Sequence, residues 1–287
     1  MENIGIVINS QSKNAASLSG YLTAFTERNI SYTIYKPSPD ELNDSIKKAR
    51  NRHSILLVGG GDGTIRAAAQ ECICSPVILG VLPLGTMNHF AKELNLPQTP
   101  DEIIKAIENK KTVQIDTAEV NGSVFVNNSS IGFYPSFAKK LDYYKKFYNK
   151  WLCYIPSLWH ALKKHKAFSL TLQNRKLSRS IDTSFLMISN NLYIYEFPFS
   201  VKRINFSNAQ LGIYYYKYGK MQLLQFIHYF FNKKESFEIL SSKLPMEIHI
   251  HNHSQITLSL DGETMVKNTP LLYKSIPNSL TLITNNP

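Results

Sequence analysis

The fold is decided by the stretch Arg52–Thr64, which reads RHSILLVGGGDGT. Its apolar part, Ile55–Val58, predicts a short buried parallel strand. The glycines that follow allow backbone angles that are closed to other residues. The next segment, Ile65–Cys74, is rich in alanine and predicts a helix. A strand, a glycine turn and a helix in this order direct backbone N–H groups and a helix N-terminus at a phosphate.

Asp62 and Thr64 make this stretch more than a plain glycine-rich turn. A turn of that kind explains the glycines but neither of these two polar residues. An acid among anion-binding amides is unfavourable unless it holds a metal or a hydroxyl group. The stretch therefore predicts a phosphate site with a carboxylate inside it.

A second loop of the same kind follows about one βα unit later. Val77–Leu82 is another apolar strand, and Pro83–Lys92 (PLGTMNHFAK) turns from it into a helix. Two such loops at the same end of adjacent strands form a crevice at the carboxyl edge of the sheet, where α/β proteins bind ligands.

The two loops together resemble the diacylglycerol kinase catalytic-domain family, which includes bacterial lipid kinases and the sphingosine and ceramide kinases. The resemblance lies in Gly60–Thr64 (GGDGT) and Pro83–Asn88 (PLGTMN), and neither loop is a Walker A motif. It implies an ATP-dependent kinase acting on a lipid hydroxyl, with diacylglycerol as the first choice of substrate and Mg²⁺ bound with the ATP. The implied nucleotide-binding residues are Asn9, Gly60, Gly61, Asp62, Gly63, Thr64, Gly85, Thr86 and Asn88.

A later motif, Leu260–Glu263 (LDGE), supplies the candidate general base. Read from the residues alone, Asp-Gly is first of all a hairpin turn. The resemblance places this motif at the nucleotide crevice and implies that one carboxylate orients the attacking hydroxyl. Glu263 is the first choice and Asp261 the second, and Asp62 is the catalytic acid of the glycine loop.

The order of elements predicts two domains. Alternating strands and helices up to about residue 112 predict a Rossmann-like parallel sheet over residues 1–112. From Val113 onward the pattern changes to strands, beginning with a hairpin at Asn121-Gly122. Residues 113–287 are therefore predicted to form an antiparallel β-sandwich domain that binds the lipid, with the extreme C-terminus as a candidate to return to the first domain. Later strands are expected at 168–172, 183–189, 210–216, 236–240, 246–251, 255–260 and 271–284.

Charge and composition limit the classes of molecule that the protein is expected to bind. The 287 residues include 32 Lys and Arg against 21 Asp and Glu, which gives a net charge of +11. This excess fits a nucleotide or an anionic membrane surface, and nucleic acid is excluded because no binding motif accompanies it. The basic segment Ser136–Lys166 has eight lysines and one acid at amphipathic helical spacing, so it predicts either a membrane-contacting helix or one that covers the β domain.

Location is inferred from absences in the sequence. Three cysteines without a zinc spacing favour reduced thiols. Neither a signal peptide nor an apolar run long enough to span a membrane is visible. We therefore expect a cytoplasmic protein, peripheral at the inner membrane face, and a homodimer is left open.

Departures from the family pattern keep two alternatives open. Members of the family often carry Asn-Glu where this chain has Arg66-Ala67, and many carry an acid where it has His89. In some members that acid belongs to a network of a metal ion and water. Asp116 matches another acid of the same network. Ser207–Ala209 replaces an Asp-Asp-Gly that carries a structural metal in some members, so such a metal is not expected here. The alternatives are a catalytically silent, membrane-associated nucleotide- or lipid-binding protein and a soluble NAD kinase-like enzyme.

One further cluster could bind a metal. His249, His251 and His253 alternate along a predicted strand and would lie on one face. With an added carboxylate, two or three imidazoles could bind Zn²⁺. An exposed strand face is the favoured interpretation.

Overall fold

The computed structural model describes residues 3–12, 17–86, 88–132, 166–196, 200–203, 205–217 and 237–285. The basic segment predicted at Ser136–Lys166 lies outside these residues, except for Lys166.

The helices lie in the first part of the chain. They are α1 (Leu18–Glu27), α2 (Leu42–Arg50), α3 (Asp62–Cys72), α4 (His89–Glu93) and α5 (Pro100–Glu108), with a 3₁₀ turn at Pro39–Glu41 before α2. Strands in this part are β1 (Ile4–Ile8), β2 (Tyr32–Tyr35), β3 (Ile55–Gly60) and β4 (Ile78–Pro83). All four strands pair in parallel, in the order β2-β1-β3-β4, as the alternation of strands and helices predicts.

Strands dominate from Thr112 onward. They are β5 (Thr112–Val120), β6 (Ser123–Phe125), β7 (Asn128–Gly132), β8 (Phe168–Gln173), β9 (Ser178–Thr183), β10 (Phe185–Asn190), β11 (Tyr193–Glu196), β12 (Ser200–Arg203), β13 (Leu211–Tyr216), β14 (Phe237–Ser242), β15 (Met246–Ile250), β16 (Gln255–Leu260), β17 (Glu263–Asn268) and β18 (Leu271–Ile283). β5 and β6 form the predicted hairpin, with positive φ angles of 43° at Asn121 and 79° at Gly122.

The last strand, β18, joins the two parts of the chain. It pairs in parallel with β4 and antiparallel with both β5 and β15. Among the described residues, the resulting large sheet has ten strands in the order β2-β1-β3-β4-β18-β15-β8-β9, with β5 on β18 and β6 on β5. Hydrogen bonding therefore continues through the predicted boundary at residue 112, where β5 begins.

A second, small sheet packs on the far end of the large one. Its order is β14-β13-β10-β7-β16-β17. The inner faces of both sheets share one hydrophobic core, in which Phe125 and Tyr273 of the large sheet meet Ile131 and Leu258 of the small sheet. This is the expected antiparallel sandwich, in which inward-facing residues of two sheets interdigitate.

Several element boundaries differ from the predictions. Helix α3 begins at Asp62, three residues before the predicted start at Ile65, because extended Gly61 is the N-cap and an acid is favourable in the first turn. A strand predicted at 183–189 is two strands, since β9 ends at Thr183 and β10 starts at Phe185. The strands β7, β9, β11, β12 and β17 were not predicted, and β15 ends at Ile250 rather than at residue 251.

One buried ion pair connects helix α4 to the β strands. The Arg203 side chain has no exposed surface, and its Nη2 lies 2.6 Å from Oε2 of Glu93. Its remaining N–H groups donate to Glu93 Oε1, to the carbonyls of Val126 and Asn190, and to Oδ1 of Asn127. The guanidinium also stacks 4.7 Å from the ring centre of Phe206. The planar guanidinium has five N–H donors, and no other side chain has enough donors to bind this set of acceptors.

We expect Arg203→Lys to lower the free energy of unfolding by roughly 2–3 kcal/mol, because an ammonium has fewer donors and leaves buried acceptors unpaired. Arg179→Lys is the matched control. Arg179 also pairs with a glutamate, Glu238, but its side chain is 41% exposed, so that variant should lose less than about 1 kcal/mol. Urea unfolding of both variants measures the difference. Equal losses would show that the buried fork is not needed.

Candidate functional site

The first half of the site is the turn between β3 and α3. A Cβ atom built on Gly60 would lie 2.5 Å from the Cβ of Thr64, so only glycine fits there. The Thr64 hydroxyl accepts a hydrogen bond of 3.0 Å from Nδ2 of Asn9, at the end of β1. Asn9 also donates its backbone N–H to the carbonyl of Gly59. The structure thus brings three predicted nucleotide-binding residues, Asn9, Gly60 and Thr64, to one edge of the sheet.

The second half is the loop between β4 and α4, which lies against the first. A Cβ atom on Gly85 would lie 2.4 Å from the Cα of Gly61, so the two loops meet backbone to backbone. Asn88 holds its own loop: its Oδ1 accepts the N–H of Gly85, and its Nδ2 donates to the carbonyls of Pro83 and Gly85. Asn88 therefore shapes the crevice with its side chain, while Thr86 is exposed beside it. The crevice predicted from two adjacent βα loops is present.

Asp62 connects the two loops. It occupies the first turn of α3, and its Oδ2 and Oδ1 accept the N–H groups of His89 and Phe90 at 3.3 and 3.1 Å. These N–H groups open helix α4, where an acid is favourable. Each carboxylate oxygen keeps further acceptor capacity. Asp62 is thus a structural link between the loops and still presents oxygen to the crevice.

The Asp-Gly-Glu motif is a hairpin turn and also a part of the site. Leu260 of β16 pairs with Glu263 of β17, and the two residues between them have positive φ angles of 48° at Asp261 and 93° at Gly262. Such a two-residue turn is the one that Asp-Gly favours. The hairpin turn read from the residues alone is therefore confirmed, and the catalytic role that the resemblance implies for the motif stays a prediction.

The two acids of this motif point to different places. The Asp261 carboxylate accepts the backbone N–H groups of Val126, Asn127 and Asn128 at 2.8, 2.8 and 3.0 Å. Burial raises its pKa from 3.8 to about 6, although those hydrogen bonds and the charge of Arg203 act to lower it. The oxygens of Asp261, the second choice for the general base, therefore bind backbone amides, and its role as a base stays a prediction.

Glu263 instead lies on the glycine loop. A Cβ atom on Gly63 would be 2.1 Å from its Oε1, so the carboxylate rests on the first turn of α3. Its side chain is 50% exposed and is held by Arg66, whose Nη2 is 2.5 Å from Oε2. Glu263 is thus the acid of the motif that faces the crevice.

Asp116 does not fit the predicted metal role. It is fully buried, and its Oδ1 accepts the N–H of Asn278. Its Oδ2 accepts from Asn191 Nδ2 and from the N–H of Ala209. A carboxylate that accepts hydrogen bonds from three chain segments holds those segments together. The loop Ser207–Ala209 is therefore fixed by a hydrogen-bonding acid.

The three histidines lie apart from the crevice and engage different partners. His249 pairs with Glu247 at 3.0 Å, His251 bonds to the Thr171 hydroxyl, and His253 bonds to the His251 carbonyl. They do not share one strand face, since β15 ends before His251. In the described part of the chain no group of three or more His, Cys, Asp or Glu side chains could hold a metal ion. Nor does any helix of that part reach the length and apolarity needed to cross a membrane.

Two contributors to the site were not predicted from the sequence. Arg66 was noted only as a departure, and the pairing with Glu263, which lies 197 residues away, has no local signal. Gln70, one turn further along α3, accepts the N–H of Val124 at 2.8 Å and so ties α3 to β6. Its position on the same helical face as Arg66 is the only sequence feature that could have indicated it.

Gly85→Ala should lower the free energy of unfolding by about 1–3 kcal/mol, because a methyl group would push the two loops apart. Gly61→Ala is the matched control from the other side of the same contact: its methyl group would lie 3.6 Å from the nearest atom, Gly85 Cα, an ordinary contact. Urea unfolding in the absence of nucleotide compares the two. Gly61→Ala proving the more harmful would contradict this geometry.

Asp261→Asn should also destabilise the chain, since an amide NH₂ would oppose backbone donors. The pKa of Asp261 is raised in the folded state to about 6, so its contribution to stability is fully present below pH 4 or so and is lost as the pH rises through about 6. The stability difference between wild type and variant should therefore be larger at pH 5 than at pH 7. Urea unfolding at both pH values measures this difference in the free energy of unfolding. A difference that is larger at pH 7 than at pH 5 would contradict the prediction.

Known proteins resemble this chain in sequence. Residues 3–120 match the family model described as the diacylglycerol kinase catalytic domain. A Staphylococcus carnosus protein named "Putative lipid kinase" is 24% identical over 241 residues, which cover 80% of this chain and 77% of that protein. A Serratia proteamaculans protein named "Probable lipid kinase YegS-like" is 40% identical over 85 residues, but the match spans only 28% of its length.

Solved structures show the same fold. A crystal structure of a diacylglycerol kinase from Bacillus anthracis covers 100% of this chain with a TM-score of 0.71 at 18% identity. A second Bacillus anthracis structure, that of a putative diacylglycerol kinase, matches 100% of this chain and 98% of its own with a TM-score of 0.76 at 19% identity. The predicted fold class, a Rossmann-like parallel-sheet domain followed by an antiparallel β-sandwich, is confirmed. Both loops of the crevice lie inside the matched residues 3–120, and over that part the chain is similar to the diacylglycerol kinase catalytic domain.

Proposed function

We propose that this protein is an ATP-dependent lipid kinase that phosphorylates a lipid hydroxyl, with diacylglycerol as the substrate and phosphatidic acid as the product. The observation that carries the proposal is the position of Glu263. It is a half-exposed carboxylate resting on Gly63, in the first turn of the helix whose N-terminus faces the crevice. In phosphoryl transfer the protein mainly positions groups and stabilises charge, and one carboxylate orients the attacking hydroxyl.

The loops suit a nucleotide and its metal ion. ATP would supply the transferred phosphoryl group, and the turn at Gly60–Gly63 lies at the N-terminus of α3, a position that attracts phosphate. Asp62 is the carboxylate nearest to that turn and keeps acceptor capacity for Mg²⁺. One or two carboxylates with the phosphates are the usual ligands of this ion. Asp116 takes no part in this proposal, because its oxygens are already bound.

The lipid acceptor is supported by the relatives and by the charge of the chain. The Staphylococcus carnosus and Serratia proteamaculans proteins are both named as lipid kinases. A net charge of +11 favours a substrate presented on an anionic surface. We extend the proposal to a peripheral enzyme that meets its lipid at an anionic membrane face in the cytoplasm.

Purified wild-type protein with labelled ATP and Mg²⁺ should phosphorylate diacylglycerol in vesicles that also contain anionic lipid. Monoacylglycerol, a sphingoid base and phosphatidylglycerol complete the panel, and products are identified by mass. Glu263→Gln should lower turnover by roughly 10²–10⁴, as expected for loss of a general base, while ATP affinity changes little. Glu247→Gln is the control, since Glu247 is another half-exposed glutamate, paired with His249 on β15.

The outcomes separate the candidate functions. Transfer to another lipid of the panel would keep the kinase and replace the substrate. ATP binding without transfer to any lipid would favour the catalytically silent protein, which the residues Ala67 and His89 suggest. Transfer to NAD, tested as an added acceptor, would indicate the NAD kinase-like alternative.

A further inference from the structure

Arg66 binds the candidate base in an asymmetric way. Its Nε and Nη2 both donate to the same oxygen of Glu263, Oε2, at 3.2 and 2.5 Å. No hydrogen bond from Arg66 to the other oxygen, Oε1, is found in the described structure, and that oxygen faces Gly63. The carboxylate therefore has one anchored oxygen and one directed at the glycine loop.

The arginine is much less exposed than its partner. Its side chain is 15% exposed against 50% for Glu263. Arg66 lies one helical turn beyond Asp62 on α3, so its backbone is part of the rigid element that carries the glycine loop. Glu263 starts β17 on the opposite side of the crevice. The pair thus fixes a side chain from the β strands to the helix that organises the phosphate site.

A single exposed ion pair would do little, because surface pairs contribute about 0–1 kcal/mol to stability. The value of this pair lies in geometry. A glutamate side chain has three rotatable bonds, and holding one oxygen in a guanidinium fork while the other rests on Gly63 selects one of its many orientations. Reactions that depend on alignment lose up to about a hundredfold in rate from a misplacement of 1 Å.

We propose that Arg66 is a positioning residue for Glu263: it anchors Oε2 so that Oε1 points at the acceptor hydroxyl. This inference rests on the proposed lipid kinase function. Glu263 Oε1 would take the proton of the acceptor hydroxyl as that oxygen bonds to the transferred phosphorus, while the bond from phosphorus to the leaving nucleoside diphosphate breaks. Arg66 keeps its own protons throughout and remains bound to Oε2.

Two variants change this contact to different degrees. Arg66→Gln removes the charge and the fork, while Arg66→Lys keeps the charge but supplies a point donor in place of the fork. We expect Arg66→Gln to lower kcat by about tenfold to a hundredfold, with KM for ATP changed less than about threefold. Arg66→Lys should fall between wild type and Arg66→Gln. Arg179→Gln, in another partly exposed arginine–glutamate pair, should leave kcat unchanged.

The decisive measurement is a double-mutant cycle with Glu263→Gln. If Arg66 acts through Glu263, then Arg66→Gln should cost nothing further in kcat when Glu263 is already glutamine. Thermal unfolding of each variant shows that the fold is retained, and Arg66→Lys serves the cycle if Arg66→Gln does not fold.

Each other result overturns the proposal. If wild type is active and Glu263→Gln is impaired while Arg66→Gln keeps full kcat, the lipid kinase function stands and the positioning role fails. Additive losses in kcat would mean that Arg66 acts independently of Glu263. A rise in KM for ATP that persists in the Glu263→Gln background would make Arg66 a phosphate ligand instead. Wild-type protein that transfers phosphate to no lipid would overturn the proposed function and this inference together.

Discussion

The structure depends on how three consecutive residues, Val126, Asn127 and Asn128, are held. Their backbone N–H groups all donate to the carboxylate of Asp261. From the other side, Arg203 donates to the Val126 carbonyl and to Asn127 Oδ1. Val126 and Asn127 lie between β6 and β7, so their buried backbone groups must be satisfied outside regular sheet pairing. Here the carboxylate of Asp261 and the buried guanidinium of Arg203 do so.

This segment sets the geometry of the crevice. Asp261 fixes the turn between β16 and β17 to residues 126–128, so the start of β17 has one position. Glu263 is the first residue of β17 and is thereby carried to Gly63. Arg203 connects the same segment to Glu93 at the end of α4, the helix that follows the second loop. Residues 126–128 are thus connected both to the helix after the second loop and to the strand that carries the candidate base.

The parts that sequence reasoning predicted are those with local signals. The two βα loops, the parallel strands before them and the turns at Asn121-Gly122 and Asp261-Gly262 follow from residues adjacent in the chain. The close approach of Gly61 and Gly85 follows from strand adjacency, which the βα order implies.

The parts that sequence reasoning did not predict depend on distant residues. Arg203 is 110 residues from Glu93, and Arg66 is 197 residues from Glu263. Asp116 was a candidate metal ligand because it matches an acid of the family's metal network. The sequence does not show whether backbone and side-chain amides or a cation will bind a given carboxylate. The three donors to Asp116 come from Asn191, Ala209 and Asn278, which only the folded chain brings together.

The motif Asp261-Gly262-Glu263 shows why two acids so close in sequence cannot share one role. The Asp261 side chain points inward, and its carboxylate accepts hydrogen bonds from three backbone amides. Burial raises its pKa to about 6. Glu263 turns outward, with one oxygen bound by Arg66 and the other left on the glycine loop. The left-handed backbone at Asp261 and Gly262 produces this reversal of direction within two residues. Because the inward acid holds the turn, the outward acid can be placed accurately without contacts of its own to the sandwich core. The hairpin turn and the candidate catalytic motif are therefore the same four residues, in which Asp261 holds the turn that places the proposed base, Glu263.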